Sequence, residues 1–155
     1  MRIMVVIAAA LAAFATSQAK ADWEFTRWGM TPEQVAGASK GTVKVLPPSK
    51  RKTIPEIHMQ SAAEGSYADG PLRLFLKFSF DTRSNGLICV GSTATGMSQN
   101  VLLRTSMIKK HGPPQKKEGL AVIGYQVFIW NKSDVIRLEM TEGALSYATH
   151  CKPGS

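Results

Sequence analysis

WEFTRWGMTPEQVAGASKG, residues 23–41, is the stretch of sequence that decides the fold. Thr31 is a good helix N-cap, Pro32 suits the first helical position, and Gln34 can complete a capping box. These signals predict a short helix over residues 32–40, which the following glycine ends.

The same stretch is rich in aromatic residues, with Trp23, Phe25 and Trp28 shortly before the helix. A helix of this length is marginally stable by itself, so packing against other elements must hold it in place. Met30 and Val35 stand where a hydrophobic staple forms. We therefore interpret the aromatic residues as an anchored entry into a fold rather than as a binding motif.

A second helix is predicted with a similar start. Gly96-Met97-Ser98 repeats the pattern of Gly29-Met30-Thr31, and Ser98 is the expected cap. The expected apolar face of this helix consists of Val101, Leu102, Thr105 and Ile108. The helix is expected to end in a basic turn, favoured by the helix dipole, and then at Gly112, Pro113 and Pro114.

The remaining apolar segments predict strands. The clearest alternation covers residues 72–80, where Leu72, Leu74, Leu76, Phe78 and Phe80 face one way. In the last predicted strand, Leu145, Tyr147 and Thr149 share a face. The other strands are expected at residues 42–46, 54–63, 87–93, 121–130, 134–140 and 144–151, and short turns between several of them favour antiparallel pairing.

The element order predicts an α+β fold, with two short helices packed on one face of an antiparallel β-meander sheet. The two similar helix starts also suggest a duplicated unit of one helix followed by strands. Residues 22–155 are expected to form a single domain, since their number suits one hydrophobic core.

Residues 1–21 read as a secretory signal peptide. Arg2 is followed by a short apolar run, and Ala19-Lys20-Ala21 fits the small-x-small rule for cleavage near Ala21. A retained N-terminal anchor is the alternative, although the run is short for a membrane span. The expected product has no transmembrane anchor and is periplasmic.

Charge and cysteine content add two expectations. The chain has a formal net charge of +8, which serves solubility or attracts an acidic partner. Export permits a disulfide between Cys89 and Cys151, with two free thiols as the alternative.

The helix start WGMTPEQV, the strand pairs that follow and the later KKHGPP sequence resemble small exported bacterial proteins of unknown function. More distantly, the pattern is similar to the BamE-like (SmpA/OmlA) and β-lactamase-inhibitor-protein-like folds. That resemblance implies helices against a small antiparallel sheet and a role in binding other proteins. The chain lacks the lipidated cysteine of the outer-membrane assembly lipoproteins, and no functional residue is carried over.

Known catalytic motifs are missing from the sequence. The three histidines, His58, His111 and His150, stand apart from each other and from ligand spacings typical of metal sites. The sequence has no nucleophile elbow, phosphate-binding loop or dinucleotide glycine pattern, and no arginine-rich or aromatic nucleic-acid motif. We therefore expect no catalytic residue, cofactor, metal or nucleic-acid partner, although an undetected hydrolase stays open.

Two surfaces are candidates for binding. The first is the sheet face opposite the helices, which is expected to present Arg73, Phe75, Lys77, Arg137 and His150 to an acidic envelope protein. An ordinary solvated sheet face is the alternative. The second is a set of basic loop residues for polyanions or anionic lipids, consisting of Lys50, Arg51, Lys52, Lys109, Lys110, Lys116 and Lys117. Solvated charge on mobile loops is the alternative, because prolines flank these residues.

Overall fold

The computed structural model describes Trp23 and residues 25–155. These residues contain two α-helices, α1 at Pro32–Ala38 and α2 at Met97–His111, together with a large antiparallel sheet. The predicted α+β class is confirmed. The predicted signal peptide, residues 1–21, lies outside the described residues. Neither described helix has the length and apolar character needed to cross a bilayer.

The sheet formed by the described residues has nine strands. The strands are β1 Val43–Val45, β2 Lys52–Ile54, β3 Met59–Asp69, β4 Leu72–Asp81, β5 Leu87–Thr95, β6 Lys116–Leu120, β7 Tyr125–Asn131, β8 Val135–Thr141 and β9 Leu145–Cys151. Their order is β1-β3-β4-β5-β9-β8-β7-β6, with β2 also paired to β3, and every pair is antiparallel. Strands β5 and β9 therefore meet near the middle of the sheet.

The predicted capping box of α1 is present. The backbone N–H of Gln34 donates to Thr31 Oγ1 at 3.3 Å, and the Thr31 N–H donates to Gln34 Oε1 at 2.9 Å. The helix ends at Ala38, two residues before the predicted limit. Trp23 packs edge-on against Tyr67 with ring centroids 5.3 Å apart, so the aromatic entry does contact the sheet.

The alternation predicted for residues 72–80 is also confirmed. All five apolar residues of this set are buried, while Arg73, Phe75 and Lys77 are exposed. The buried side chains of β4 define the inner face of the sheet, and the opposite face is the outer face. Val35 of α1 and Leu103 and Met107 of α2 join the same core as the inner-face side chains.

Two predicted faces are wrong. In β9, Ser146, Ala148 and His150 are buried on the inner face, and the face expected to point inward is the more exposed one. In α2, the buried residues are Asn100, Leu103 and Met107, whereas Val101 and Ile108 are exposed. The error in β9 has a physical cause, because β5 and β9 present small side chains in this part of the core, with Ser92 opposite Ala148 and Ala94 opposite Ser146. Such small residues carry little hydrophobic signal although they are buried.

The predicted strand limits differ from the observed ones at several places. The segment expected as one strand over 121–130 begins as a 3₁₀ turn at Ala121–Ile123, and β7 starts only at Tyr125. The lysine-containing residues before it form the edge strand β6, which the sequence did not suggest. Strand β3 also runs six residues past the expected limit at Ala63.

The predicted disulfide between Cys89 and Cys151 is present. The two cysteines are direct partners in the β5–β9 ladder. The bond therefore joins two neighbouring strands at the centre of the sheet.

Candidate functional site

The outer face collects five of the exposed large apolar side chains of the described residues. They are Phe75, Leu120, Val135, Leu145 and Tyr147, with exposed fractions of 43%, 63%, 43%, 47% and 39%. The strand register aligns Phe75 with Tyr147, since both are opposite Thr93, whereas Val135 is opposite Cys151, at the other end of β9 from Leu145. The apolar groups therefore come from several strands rather than from one edge.

Basic side chains stand among these apolar groups, as predicted for Arg73, Lys77 and Arg137. Lys77 lies 5.9 Å from the Phe75 ring centroid, and Arg73 donates to the carbonyl oxygen of Leu72 at 2.8 Å. Among the described residues, no carboxylate oxygen lies within 4.0 Å of the Arg73 or Lys77 nitrogens. These two positive charges are consequently available to an acidic group from outside.

Arg137 is less available. Its Nε donates to Glu139 Oε1 at 2.7 Å, and this hydrogen bond raises the pKa of Arg137 above its ordinary value. The other carboxylate oxygen, Glu139 Oε2, accepts from the Tyr125 hydroxyl at 2.9 Å. The β8 side of the outer face is thus locally neutralised, and its net positive charge is concentrated on β4.

Tyr147 is part of the outer face, although it was not among the residues predicted for that face. Its ring lies across Gly91, where an added Cβ would come within 2.6 Å of the hydroxyl oxygen. Burial of the ring, and then the neighbouring Glu139 carboxylate, raise the pKa of Tyr147. The residue therefore presents a neutral, partly exposed aromatic ring at ordinary pH.

His150 does not belong to the outer face, and its assignment to the partner-binding surface is corrected. Only 4% of the residue is exposed, and its Nε2 lies 2.8 Å from Asp134 Oδ2. Asp134 is also buried, and its Oδ1 accepts from the Trp28 indole N–H at 3.1 Å. A cluster of the partly buried Trp28 with the buried Asp134 and His150 replaces the expected surface histidine.

This cluster borders a cavity of about 130 Å³ beside α2, which we call the α2 cavity. Its walls come from α2, five strands and the entry segment, and they include His150, His111, Ser106 and Trp23. The rings of His111 and His150 meet edge-on with centroids 5.9 Å apart. No group of three or more histidine, cysteine, aspartate or glutamate residues suited to a metal ion occurs in the part of the chain that is described.

The sequence contains one signal that could have placed Asp134 near His150, namely the register of the β8–β9 hairpin. The turn expected at Glu142-Gly143 fixes the pairing of the two strands around it, and Ile136 is opposite His150. Asp134 lies just before β8, so a correct hairpin register would have brought it to the end of β9. What the sequence did not reveal is that this end of β9 faces the core.

The predicted polyanion residues fall into separate groups. Lys50, Arg51 and Lys52 lie at and just before β2, which pairs with β3 near one edge of the sheet. Lys116 and Lys117 lie in β6 at the opposite edge, while Lys109 and Lys110 occupy the last turn of α2. Strands β3, β4, β5, β9, β8 and β7 separate the two edge groups. The sheet does not bring all seven residues together.

Several of these basic residues are engaged within the protein. Arg51 Nε donates to the carbonyl oxygen of Leu46 at 2.9 Å. Lys116 forms an ion pair with Glu118, which lowers the pKa of that carboxyl group. The Lys117 ammonium lies 5.4 Å from the ring centroid of Phe128.

An apolar tip, consisting of Leu120, Val122 and Ile123, projects between β6 and β7. These three side chains are 63%, 99% and 61% exposed. The tip directly follows the edge strand that contains Lys116 and Lys117. An exposed apolar group of this kind next to lysines was not predicted from the sequence.

Comparison of the chain with protein-family models, with curated protein sequences and with solved structures finds no match. The function therefore has to be argued from the geometry of the outer face, the apolar tip and the α2 cavity.

Proposed function

We propose that this protein is a non-enzymatic binding module that docks another protein on the outer face of its sheet. The observation that carries the proposal is the gathering of Phe75, Tyr147, Leu145 and Val135 on one face of the sheet. Contiguous exposed apolar groups among polar residues are typical of protein interaction sites. Aromatic residues such as Phe75 and Tyr147 are also enriched at the centres of such interfaces.

The charges on this face indicate the chemistry of the partner. Arg73 and Lys77 add positive charge beside Phe75, whereas Arg137 is offset by Glu139. A partner surface with an apolar centre and carboxylates facing β4 would be complementary. Desolvating the aromatic rings would supply affinity, and the β4 charges would set orientation and association rate.

We place this interaction in the periplasm. The signal peptide predicted for residues 1–21 supports export, and the disulfide between Cys89 and Cys151 fits an oxidising compartment. The resemblance to small exported proteins and to folds that bind other proteins stays a prediction in line with this role.

The proposal also includes a finer description of the architecture. Both helices would cover the inner face, leaving the outer face open, and the chain would consist of two similar units. The strand order supports this view, because β5 and β9, the last strands of the two helix-plus-strands units, pair with each other. From this central pair, β4, β3 and β1 follow outward on one side, and β8, β7 and β6 follow on the other.

Crosslinking in intact cells tests the binding function. A tagged protein is crosslinked, purified and compared with the triple variant Arg73→Ala, Phe75→Ala, Arg137→Ala. We expect one envelope protein to be captured by the unmodified chain in low and high salt, and to be lost from the triple variant. The fold of the variant is checked by thermal unfolding.

The matched control replaces three exposed apolar residues of α2, as Met97→Ala, Val101→Ala and Ile108→Ala. This variant should capture the same partner as the unmodified chain. Equal capture by the folded outer-face variant, or loss only in the α2 variant, would reject the assignment of the outer face.

The apolar tip favours a second candidate function, namely attachment to an anionic lipid surface. Val122 and Ile123 could enter the headgroup region while Lys116 and Lys117 approach lipid phosphates. Sedimentation with anionic vesicles should then decrease in the variant Val122→Asp, Ile123→Asp. The control variant Ile54→Asp, Ile57→Asp changes two exposed isoleucines near the other edge group of basic residues. Equal binding by all three proteins would reject the tip as a lipid contact.

A further inference from the structure

We propose that the α2 cavity is a binding site for a small neutral aromatic molecule that carries one hydroxyl group, that is, a ligand of the phenol class. The site is separate from the outer face, because its walls are formed by α2 and by inner-face residues such as Leu74, Ala148 and His150. It therefore does not depend on the proposed protein-binding function.

The dimensions of the cavity indicate the size of the ligand. Its volume is about 130 Å³, and an apolar cavity of about 150 Å³ can hold a molecule as large as benzene. Leu72, Leu103 and Met107 provide apolar walls. Trp23 and Tyr67 add an edge-on aromatic pair whose rings also line the cavity. These walls suit a single flat ring better than a flexible or highly polar molecule.

The hydrogen-bonding group comes from His150. Its Nε2 is bound to Asp134, and an ionised carboxylate can only accept, so this nitrogen carries the proton. In the neutral imidazole, Nδ1 is then an acceptor, and it has no hydrogen-bond partner among the described residues. A ligand hydroxyl can donate to this nitrogen.

Asp134 holds this arrangement in place. Its second oxygen accepts from Trp28, so the carboxylate cannot turn away from His150 without losing that bond as well. A carboxylate that fixes one nitrogen of a histidine also fixes the tautomer and the direction of the other. The acceptor that faces the ligand is thus preorganised.

The charges around the cavity favour a neutral ligand. Asp69 and Lys110 both line it, so their formal charges balance. Lys110, His111 and Tyr67 have interaction partners within the chain. A ligand carboxylate would have to displace these partners, and it would place a second acceptor against His150 Nδ1.

Titration of the full chain with phenol, benzene and benzoate tests the site. Chemical shifts of the Trp23, Leu103 and His150 signals are followed in each titration. We expect saturable shifts with phenol, about fivefold weaker binding of benzene because it lacks the hydrogen bond, and the weakest binding for benzoate.

Two variants separate binding in the cavity from surface effects. Ser106→Trp should fill the cavity and abolish the phenol response, whereas Ser98→Trp places the same side chain on an exposed position of the same helix and should leave it unchanged. In His150→Phe, phenol and benzene should bind equally.

Several results would overturn the proposal. Equal affinities of phenol and benzene for the unmodified chain would remove the role of His150. Tightest binding of benzoate would show that the cations govern the site, and the absence of saturable shifts with all three probes would show that the cavity holds only water. If His150→Phe does not fold, the comparison of Ser106→Trp with Ser98→Trp still decides whether phenol binds in the α2 cavity.

Discussion

Trp28 donates its indole hydrogen to Asp134 at 3.1 Å, across 106 residues of sequence. This bond ties the aromatic entry of the fold to the turn between β7 and β8. Because the same carboxylate also binds His150, the entry segment, the turn and the central strand β9 meet at one buried side chain. Replacing Asp134 should therefore strongly lower the stability of the fold.

We expect Asp134→Ala to lower the free energy of unfolding by about 3 to 5 kcal/mol, since the buried His150 and the partly buried Trp28 both lose their partner. Trp28→Phe should cost about 2 kcal/mol, because Asp134 keeps its contact with His150. Urea unfolding of both variants and of the double variant measures the coupling between the two residues. Fully additive effects would show that the hydrogen bond contributes nothing to stability.

The turn after β4 predicts a pH dependence. Asp81 Oδ1 accepts from the backbone N–H groups of Arg83 and Ser84 at 2.8 and 3.0 Å, and Oδ2 lies 2.8 Å from Arg83 Nη2. The hydrogen bond from the Arg83 side chain, followed by those from the Ser84 and Arg83 backbones, holds the pKa of Asp81 well below its usual range.

A depressed pKa in the folded state means that the ionised Asp81 stabilises the fold above the ordinary aspartate pKa of about 3.9. This contribution is lost as the pH falls below that value toward the folded-state pKa. The unmodified chain should therefore exceed Asp81→Asn in stability at neutral pH, with a difference that shrinks on acidification below about pH 4. Chemical unfolding at a series of pH values measures it, and a difference independent of pH would contradict the assignment.

Two glycines should respond in opposite directions to alanine. A Cβ on Gly65 would come within 2.8 Å of the Val43 Cα, so the short strand β1 would have to move away from β3. Gly37 lies inside α1, and nothing stands within 4 Å of a Cβ there.

We therefore expect Gly65→Ala to lower the free energy of unfolding by about 1 to 3 kcal/mol. Gly37→Ala should raise it by about 0.5 to 1 kcal/mol, since alanine favours the helix. Thermal unfolding of the two variants compares them directly. A neutral effect at Gly65 would mean that β1 contributes little to the stability of the sheet.

The sequence predicted those parts of the fold in which a single physical signal dominates. The capping residues of α1 and the strict alternation in β4 are of this kind, as is the pairing of Cys89 with Cys151. The inner face of β9 gave no such signal, because Ser146, Ala148 and His150 are small or polar and their burial depends on neighbouring strands. Of the residues predicted for the outer face, those of β4 are exposed and His150 is buried, while their role in binding stays a prediction.

The cavity and its histidine could not be predicted for a related reason. Asp134 and His150 are separated by 16 residues, and only the antiparallel pairing of β8 with β9 brings them together. Trp28 and Ser106 come from still more distant segments. A site assembled from the entry segment, a helix and several strands leaves no local spacing that a motif could describe.

The disulfide should make a large contribution to stability, because it closes a 62-residue separation between Cys89 and Cys151. The loop-entropy model gives about 4 kcal/mol for a closure of this length. The bond also joins β5 to β9 at the centre of the sheet, where strand pairing already holds the two residues opposite each other. We expect the double variant Cys89→Ser, Cys151→Ser to fold with the same strand order but to unfold at clearly lower denaturant concentration. Adding a reductant should shift the unmodified chain toward the variant and leave the variant unchanged, whereas equal unfolding midpoints with and without reductant would show that the bond does not constrain the unfolded chain.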